Sequence, residues 1–328
     1  QYYLATADID FMSQKGAEVL VETARLFLDA GHWYEGKFRI DAVTGPDEYS
    51  CIVDNNFYTN AGAQDTLRNA VIITRMLIEQ GKAEAVLSST GISSSELEQF
   101  LQAADQMYLP YDEKLMIHAQ DDAFLKLAQL DLQSIPPDKY PLLLHYHPLW
   151  LYRHQVCKQA DTVLAHFLYE DLADIETMRR SYEYYENCTT HDSSLSRCVF
   201  SIMASKLGDM DKALHYFRHS ATMDIDDAHG NTKDGIHTAN MGGSYLAIVA
   251  GFAGLRIKES GLHLTPCIPK GLEAYEFPLQ YIDSKLYIKV DQSSCHIQLT
   301  DGQAIKITVN NEILKLGPRN ALELSIQS

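Results

Sequence analysis

The spacing of the apolar residues changes at Arg256, and this change constrains the fold more than any other feature. Before Arg256, apolar side chains recur at intervals of three and four residues, which is the helical pattern. After it, short alternating runs are separated by turn signals such as Asp301-Gly302 and Asn310-Asn311. The sequence therefore predicts a mostly α-helical region over 1–256 and a small antiparallel β-sheet domain over 257–328.

Capping signals predict where individual elements begin and end. Ser13 is expected to cap a helix that ends at Gly31, and a second helix is expected over 56–80. Ser95 is expected to open a capping box at the start of a helix that reaches Met107. Further helices are predicted near 155–169, 171–186, 193–207, 209–222 and 237–253. Strands are predicted at 281–282, 286–290, 296–299, 305–309 and 322–326.

The net charge of −17, from 44 acidic and 27 basic residues, restricts the partners of the chain. Such a surface repels phosphate backbones and anionic lipids, so neither nucleic acid nor a membrane is an expected partner. No apolar run reaches the roughly 18 residues of a membrane-spanning helix. The first residues lack the features of a signal peptide, and the absence of a starting Met fits a cut or mature chain.

The six cysteines are scattered along the sequence and form no CxxC pair. This usage is typical of reduced, buried thiols, so we expect a cytoplasmic protein. Neither an HExxH motif nor a Cys/His cluster offers a metal site.

The segment from Gly45 to Tyr49 (GPDEY) places two adjacent carboxylates, Asp47 and Glu48, beside an aromatic ring. Different surroundings can separate the pKa values of two such carboxyls, so that one keeps its proton and donates it to a leaving oxygen. By composition alone, the segment fits better a polar turn in which Asp47 or Asp54 only caps a helix. The residues alone leave both interpretations open.

Two predicted helix starts carry groups that suit an anion. The segment from Thr189 to Ser196 offers hydroxyls and free backbone N–H groups, although ordinary capping by Ser193 or Ser194 explains it as well. The segment over 231–243 places a glycine, a histidine and a threonine before the most apolar helix. We expect the two helix starts to face one another within about 15 Å, so that one small anion bonds to both.

The helix that follows the second start contains Gly242 and Gly243. Each glycine inside a helix costs roughly 1 kcal/mol relative to alanine. Such a cost indicates that something packs closely there, either a ligand or a neighbouring helix.

A fourth segment, Lys158 and Gln159, lies near the start of a predicted helix. Paired polar groups of this kind suit sugar hydroxyls, but they fit ordinary surface residues as well.

Taken in order, the four segments resemble glycoside hydrolase family 65, the inverting phosphorylases of α-linked glucose disaccharides. The matching sequences are GPDEY and VDNN-YTN over 45–60, KQAD over 158–161, THDSSLS over 190–196 and DGIHTANMGG from 234. The resemblance implies the later helices of an (α/α)6 barrel, followed by a C-terminal antiparallel sheet. Because GPDEY lies mid-chain in relatives, we expect this chain to be a fragment that is inactive by itself.

By this resemblance, Glu48 is the general acid that protonates the glycosidic oxygen, and inorganic phosphate is the co-substrate that attacks the anomeric carbon. The product is β-glucose 1-phosphate, formed with inversion. No other cofactor is implied, and a homo-oligomer is expected because the family forms dimers. The remaining implied site residues are Lys158 and Gln159 for the glucose hydroxyls, and Ser193, Ser194, Gly235, His237 and Thr238 for phosphate.

Two other functions remain open. An inverting α-glucoside hydrolase on the same fold needs a second carboxylate to activate water, and Asp192 and Asp234 are the local candidates. A non-catalytic carbohydrate-binding protein made from half an enzyme is the other alternative. The sequence does not name the disaccharide, since relatives act on maltose, trehalose, trehalose 6-phosphate, kojibiose or nigerose.

Overall fold

The change from helices to strands near residue 256 is present in the computed structural model, which describes residues 1–318 and 320–326. The α-helices are α1 (Tyr2–Thr6), α2 (Ile9–Phe11), α3 (Ala17–Ala30), α4 (Phe57–Glu79), α5 (Glu84–Thr90), α6 (Ser94–Asp105), α7 (Pro148–Leu151), α8 (Asp161–Leu168), α9 (Ile175–Glu186), α10 (Ser196–Lys206), α11 (Met210–Ala221) and α12 (Thr238–Leu246). Two π-helical turns, Met12–Gly16 and Ala247–Phe252, continue neighbouring helices. The predicted fold class, mostly α with a C-terminal β region, is confirmed.

Most strands follow the last helix. Those before it are short: β1 (His32–Tyr34), β2 (Lys37–Arg39), β3 (Tyr111–Asp112), β4 (Ile117–His118), β5 (Ala128–Gln129) and β6 (His154–Gln155). Those after it are β7 (Arg256–Lys258), β8 (Gly261–Leu264), β9 (Ala274–Tyr281), β10 (Ser284–Asp291), β11 (Ser294–Asp301), β12 (Ile305–Val309), β13 (Glu312–Leu316) and β14 (Ala321–Ser325).

The chain divides into two compact units, one of residues 8–193 and one of residues 1–7 with 194–328. The domain boundary predicted between residues 256 and 257 lies inside the second unit and stays a prediction.

The first unit is organised around α4, which has 23 residues and packs against α3, α6 and α8. Asn56 caps this helix because its side chain accepts a hydrogen bond from Thr59 N at 3.0 Å. Apolar residues at helical spacing, such as Leu67, Val71 and Leu77, are buried along it. The helix predicted over 56–80 is therefore confirmed.

Two predicted caps are wrong. Asp8, not Ser13, caps the first long helical stretch by accepting from Phe11 N at 2.8 Å, and Ser13 lies inside the π-helical turn. Ser93, not Ser95, caps α6 by accepting from Glu96 N at 3.2 Å. In both cases several polar residues precede the apolar run, and only the backbone direction decides which one reaches a free N–H group.

The second unit packs α10 against α11 and against the π-helical turn Ala247–Phe252. Its strands form two sheets, ordered β14-β11-β10-β9 and β13-β12-β8-β7. The pairings are antiparallel except that of β8 with β12, which corrects the expectation of a purely antiparallel domain. A parallel pair needs a long crossover, and β9, β10 and β11 supply it. Among the described residues, no helix combines the length and the apolar character needed to cross a bilayer.

Candidate active site

The GPDEY segment forms part of a loop over residues 43–53, here called the acid loop. Val43 and Val53 close its base through reciprocal backbone hydrogen bonds of 2.9 and 2.8 Å. Only glycine fits at position 45, because a Cβ there would lie 2.1 Å from Asp161 Oδ2. The loop therefore lies directly against the segment that opens α8.

Glu48 presents its carboxylate to solvent. Its side chain is 61 % exposed, and Oε2 lies 2.7 Å from the ammonium nitrogen of Lys158. An exposed ion pair of this kind contributes only about 0–1 kcal/mol, so a bound ligand can displace it at small cost. The structure thus brings two of the predicted site residues together and leaves the carboxylate of Glu48 accessible.

Asp47, the neighbouring carboxylate, is fully buried. Its Oδ1 accepts from the backbone N–H groups of Lys158 at 2.8 Å and Tyr49 at 3.2 Å. Its Oδ2 accepts from Gln120 Nε2 at 2.9 Å and Ser50 Oγ at 3.1 Å. Burial raises the pKa of Asp47 to about 6, against the lowering effect of these hydrogen bonds. Because both oxygens bond to the protein, this carboxylate does not face a ligand.

Asp161 is a second buried carboxylate, to which sequence analysis gave no role. Its Oδ1 accepts from Asp47 N at 2.8 Å, and its Oδ2 accepts from Asn56 Nδ2 at 2.9 Å. Desolvation raises its pKa well above the usual range, and the neighbouring charge of Asp47 adds to this effect. The only local signal was its place beside the Lys158-Gln159 pair at the start of a helix.

Gln159 lies between the acid loop and the segment from Thr189 to Ser193. Its Nε2 donates to Pro46 O at 2.7 Å, and its Oε1 accepts from Ser193 Oγ at 2.5 Å. Backbone pairing supports this contact, since Cys157 N donates to Cys188 O at 2.8 Å. The structure therefore places Glu48, Lys158, Gln159 and Ser193 in one connected group.

Neither Ser193 nor Ser194 occupies the N-cap position of the helix that follows. Helix α10 begins at Ser196, and its N-cap position is occupied by Leu195 with no side-chain capping bond. Ser194 is half-buried in the turn that precedes the helix. The hydroxyl of Ser193 bonds to Gln159, so this side chain contacts the Lys158–Gln159 segment.

Asp192, a candidate base for the hydrolase alternative, is already bonded. Its Oδ2 accepts from the hydroxyl of Tyr49, and it lies 3.0 Å from Leu142 N. Tyr49 is itself buried in an apolar cluster with Leu142, Leu151 and Val156. This contact ties the acid loop to the Thr189–Ser193 segment and engages the carboxylate that would have to activate water.

The segment from Asn231 to Gly243 belongs to the second unit. Gly235 has φ +123°, a conformation that side chains disfavour. His237 precedes α12 and pairs with Asp224, with Nδ1 2.5 Å from Oδ1 and the backbone N–H donating to Oδ2 at 3.0 Å. The exposed residue Thr238 is the first of α12. Since Ser193 and this segment lie in different units, the shared anion site stays a prediction.

Asp224 is a partner of His237 that sequence analysis missed. It lies 13 residues earlier in the chain, and no periodicity or turn signal connects the two. The hydrogen bond from His237 lowers the pKa of Asp224.

Gly243 is glycine because of packing. A Cβ at this position would lie 2.5 Å from Cys198 Sγ, on the neighbouring helix α10. At Gly242 a Cβ would meet open space. The structure therefore favours tight helix packing at Gly243 over a close approach to a ligand.

The described residues contain no group of His, Cys, Asp or Glu arranged to hold a metal ion. The six cysteines are free thiols.

Family models and similar proteins of known sequence identify the same family for this chain. Residues 1–246 match the glycosyl hydrolase family 65 central catalytic domain, and residues 255–316 match the C-terminal domain of the same family. The chain is 52 % identical to α,α-trehalose phosphorylase of Geobacillus stearothermophilus, over 100 % of this chain and 43 % of that protein. It is 42 % identical to α,α-trehalose phosphorylase of Thermoanaerobacter brockii, over 94 % of this chain and 40 % of that protein.

A solved structure agrees with these matches. A putative kojibiose phosphorylase from the human microbiome superposes with a TM-score of 0.89 at 30 % identity, over 99 % of this chain and 45 % of that one. The chain therefore spans less than half the length of the relatives it matches.

Proposed function

The chain belongs to glycosyl hydrolase family 65, and on that premise we propose that it carries the general acid of an inverting disaccharide phosphorylase. In the proposed reaction, a phosphate oxygen attacks the anomeric carbon from the face opposite the leaving group. The bond from this carbon to the glycosidic oxygen breaks, and Glu48 transfers its proton to that oxygen. The products are β-glucose 1-phosphate and the second sugar.

The other predicted residues take supporting roles in this proposal. Lys158 and Gln159 hold glucose hydroxyls, replacing the bonds they make to Glu48 and Pro46 in the free protein. The phosphate ligands are Ser193, Ser194, Gly235, His237 and Thr238.

The observation that carries the proposal is the contrast between Glu48 and its neighbouring carboxylates. Glu48 is exposed, whereas Asp47 and Asp192 accept hydrogen bonds from protein groups. An inverting hydrolase needs a second available carboxylate to activate water. Phosphate is an anionic nucleophile already and needs no such base. Within the first unit this arrangement favours phosphorolysis over hydrolysis. Asp234, the other candidate base, is exposed in the second unit and keeps the hydrolase alternative open.

We propose α,α-trehalose as the first disaccharide to test. Two relatives, at 52 % and 42 % identity, are named α,α-trehalose phosphorylases. More distant relatives, at 33 % and 30 % identity, are named maltose and kojibiose phosphorylases.

Three further expectations stay proposals. A cytoplasmic location is supported by the free thiols. A homo-oligomer rests on the family resemblance. A domain boundary near 256 is supported by the family matches, which end at 246 and resume at 255.

The experiment uses the longest natural polypeptide that contains this sequence, here called the full-length enzyme. It is incubated with trehalose, maltose, kojibiose or nigerose, with and without phosphate, and the products are identified by NMR. We expect phosphate-dependent formation of β-glucose 1-phosphate from one disaccharide. Release of free sugars without phosphate would instead establish a hydrolase.

A further inference from the structure

We propose that Asp47 is a positioning residue, whose buried carboxylate fixes Glu48 relative to Lys158 and Gln159. The inference rests on the proposed function, because it assigns those three residues to the reaction. Asp47 touches no substrate in this role and acts only through the groups that it holds.

The first observation is that one oxygen of Asp47 bonds to the backbone of both segments. Oδ1 accepts from Tyr49 N at 3.2 Å, within the acid loop, and from Lys158 N at 2.8 Å. The N–H group of Gln159 also points to this oxygen, at 3.4 Å. Glu48 lies between Asp47 and Tyr49 in the chain, so one of its neighbours carries this carboxylate and the other donates a hydrogen bond to it.

The second observation is a closed ring of hydrogen bonds. Gln120 donates from Nε2 to Asp47 Oδ2 at 2.9 Å and accepts at Oε1 from Asp161 N at 3.1 Å. Asp161 Oδ1 accepts from Asp47 N at 2.8 Å, which closes the ring. All three residues are fully buried, so water does not compete for these bonds. The ring joins the acid loop to the first residue of α8.

General-acid catalysis requires that the acid loop hold Glu48 in a fixed position. A general acid acts only within hydrogen-bond reach of the oxygen it protonates, and a misplacement of about 1 Å can cost up to ~10²-fold in rate. The exposed Glu48–Lys158 ion pair cannot hold this geometry, because such a pair is weak and is broken when ligand binds. None of the three residues in the buried ring is assigned to the sugar, so sugar binding need not break these bonds.

The decisive variant is Asp47→Asn in the full-length enzyme. Asparagine has nearly the same volume as aspartate, but an NH2 group replaces one of the two acceptor oxygens. In either orientation this NH2 group faces other donors, which are Gln120 Nε2 and Ser50 Oγ on one side and backbone N–H groups on the other. Asp121→Asn is the matched control. Asp121 is also buried, but it accepts from Ala123 N and Phe124 N, both at 2.8 Å, through a single oxygen. An asparagine can keep both of those bonds.

We expect Asp47→Asn to lower kcat between about 10- and 100-fold per folded molecule, with a smaller change in KM. The loss should be larger for the disaccharide than for α-glucosyl fluoride, since fluoride leaves without a proton from Glu48. Asp121→Asn should keep the wild-type kcat with both substrates. A lower melting temperature with unchanged kcat in Asp47→Asn would overturn the inference and leave Asp47 a structural residue.

If Asp47→Asn does not fold, a milder variant tests the positioning role of Asp47. Ser50→Ala removes one donor to Asp47 Oδ2, and we expect a smaller fall in kcat with the same dependence on the leaving group. Wild-type kcat in this variant would overturn the inference. A wild-type enzyme that forms no glucose 1-phosphate would overturn the proposed function itself, which is a separate result.

Discussion

Two adjacent carboxylates, Asp47 and Glu48, have opposite surroundings. Asp47 is fully buried and bonds to the protein through both oxygens, whereas Glu48 is exposed beside Lys158. The two side chains share the same chemistry, so their roles come from the direction in which the acid loop turns each one.

At the residue scale, we expect Glu48→Gln to lower kcat of the full-length enzyme by at least about 10²-fold, because the amide cannot donate the proton that the leaving oxygen needs. Its melting temperature should change little, since an exposed ion pair contributes about 0–1 kcal/mol. Steady-state phosphorolysis and calorimetry provide the two measurements.

Glu113→Gln, an exposed glutamate in the same unit, is the control and should behave as wild type. Near-normal turnover in Glu48→Gln would remove Glu48 from the role of general acid.

At the scale of elements, β4 and α8 meet through a pair of buried histidines. His118 Nδ1 lies 3.0 Å from His166 Nε2, and the ring of Phe57 from α4 stacks on His118 at 4.2 Å between centroids. Burial lowers the pKa of His118 to about 4 and that of His166 to about 3. Both rings are therefore neutral in the folded protein near pH 7.

These depressed pKa values predict a loss of stability in acid. Unfolded histidines bind protons below about pH 6.5, while the folded pair does not until about pH 4. The contribution of the pair to the free energy of unfolding is therefore complete above pH 6.5 and falls as the pH drops. The raised pKa of Asp47 has the opposite effect. As the pH falls from about 6 to about 4, protonation of Asp47 in the folded protein increases the free energy of unfolding. The test must therefore compare variants.

We expect His166→Gln to unfold more easily at pH 7 but to lose less stability than wild type between pH 7 and 4.5. Urea denaturation at several pH values measures this difference. His145→Gln, which replaces an exposed histidine, should keep the wild-type pH dependence. An identical pH dependence in His166→Gln would show that the pair does not contribute.

At the scale of the whole molecule, the length of the chain leads to a prediction about its activity in isolation. It matches 43 % of a relative that is 52 % identical to it. The reaction rate at a sugar site depends on protein groups that contact several sides of the sugar ring. We expect the predicted residues here to supply only part of those groups. We expect the 328-residue chain by itself to form no detectable glucose 1-phosphate under conditions in which the full-length enzyme is active.

The isolated chain is also expected to self-associate. Val19 and Leu26 on α3 are each 63 % exposed, and uncovered apolar faces favour association. Sedimentation measures the association, and hourly phosphorolysis assays measure the activity. Turnover comparable to that of the full-length enzyme would mean that these 328 residues contain a complete sugar site.

Features carried by neighbouring residues were predictable from the sequence. The change of spacing at Arg256 gave the fold class, and the helix predicted over 56–80 agrees with α4 at Phe57–Glu79. Strands β7, β8 and β13 were missed because short strands beside turns carry little alternation. The strand predicted at 281–282 meets β9 only at Tyr281, so most of β9 was missed as well. The parallel pairing of β8 with β12 was missed because pairing joins residues distant in the chain.

The sequence by itself determined the helical and β regions and, through the motifs, the family and the candidate acid. Only the tertiary structure decided that Asp47 is buried while Glu48 is exposed, that Gln120 joins Asp47 to Asp161, and that Asp192 bonds to Tyr49. The physical reason is separation along the chain. Spacing and caps act within a few residues, whereas Asp47 and Asp161 are 114 residues apart and meet only after the helices have packed.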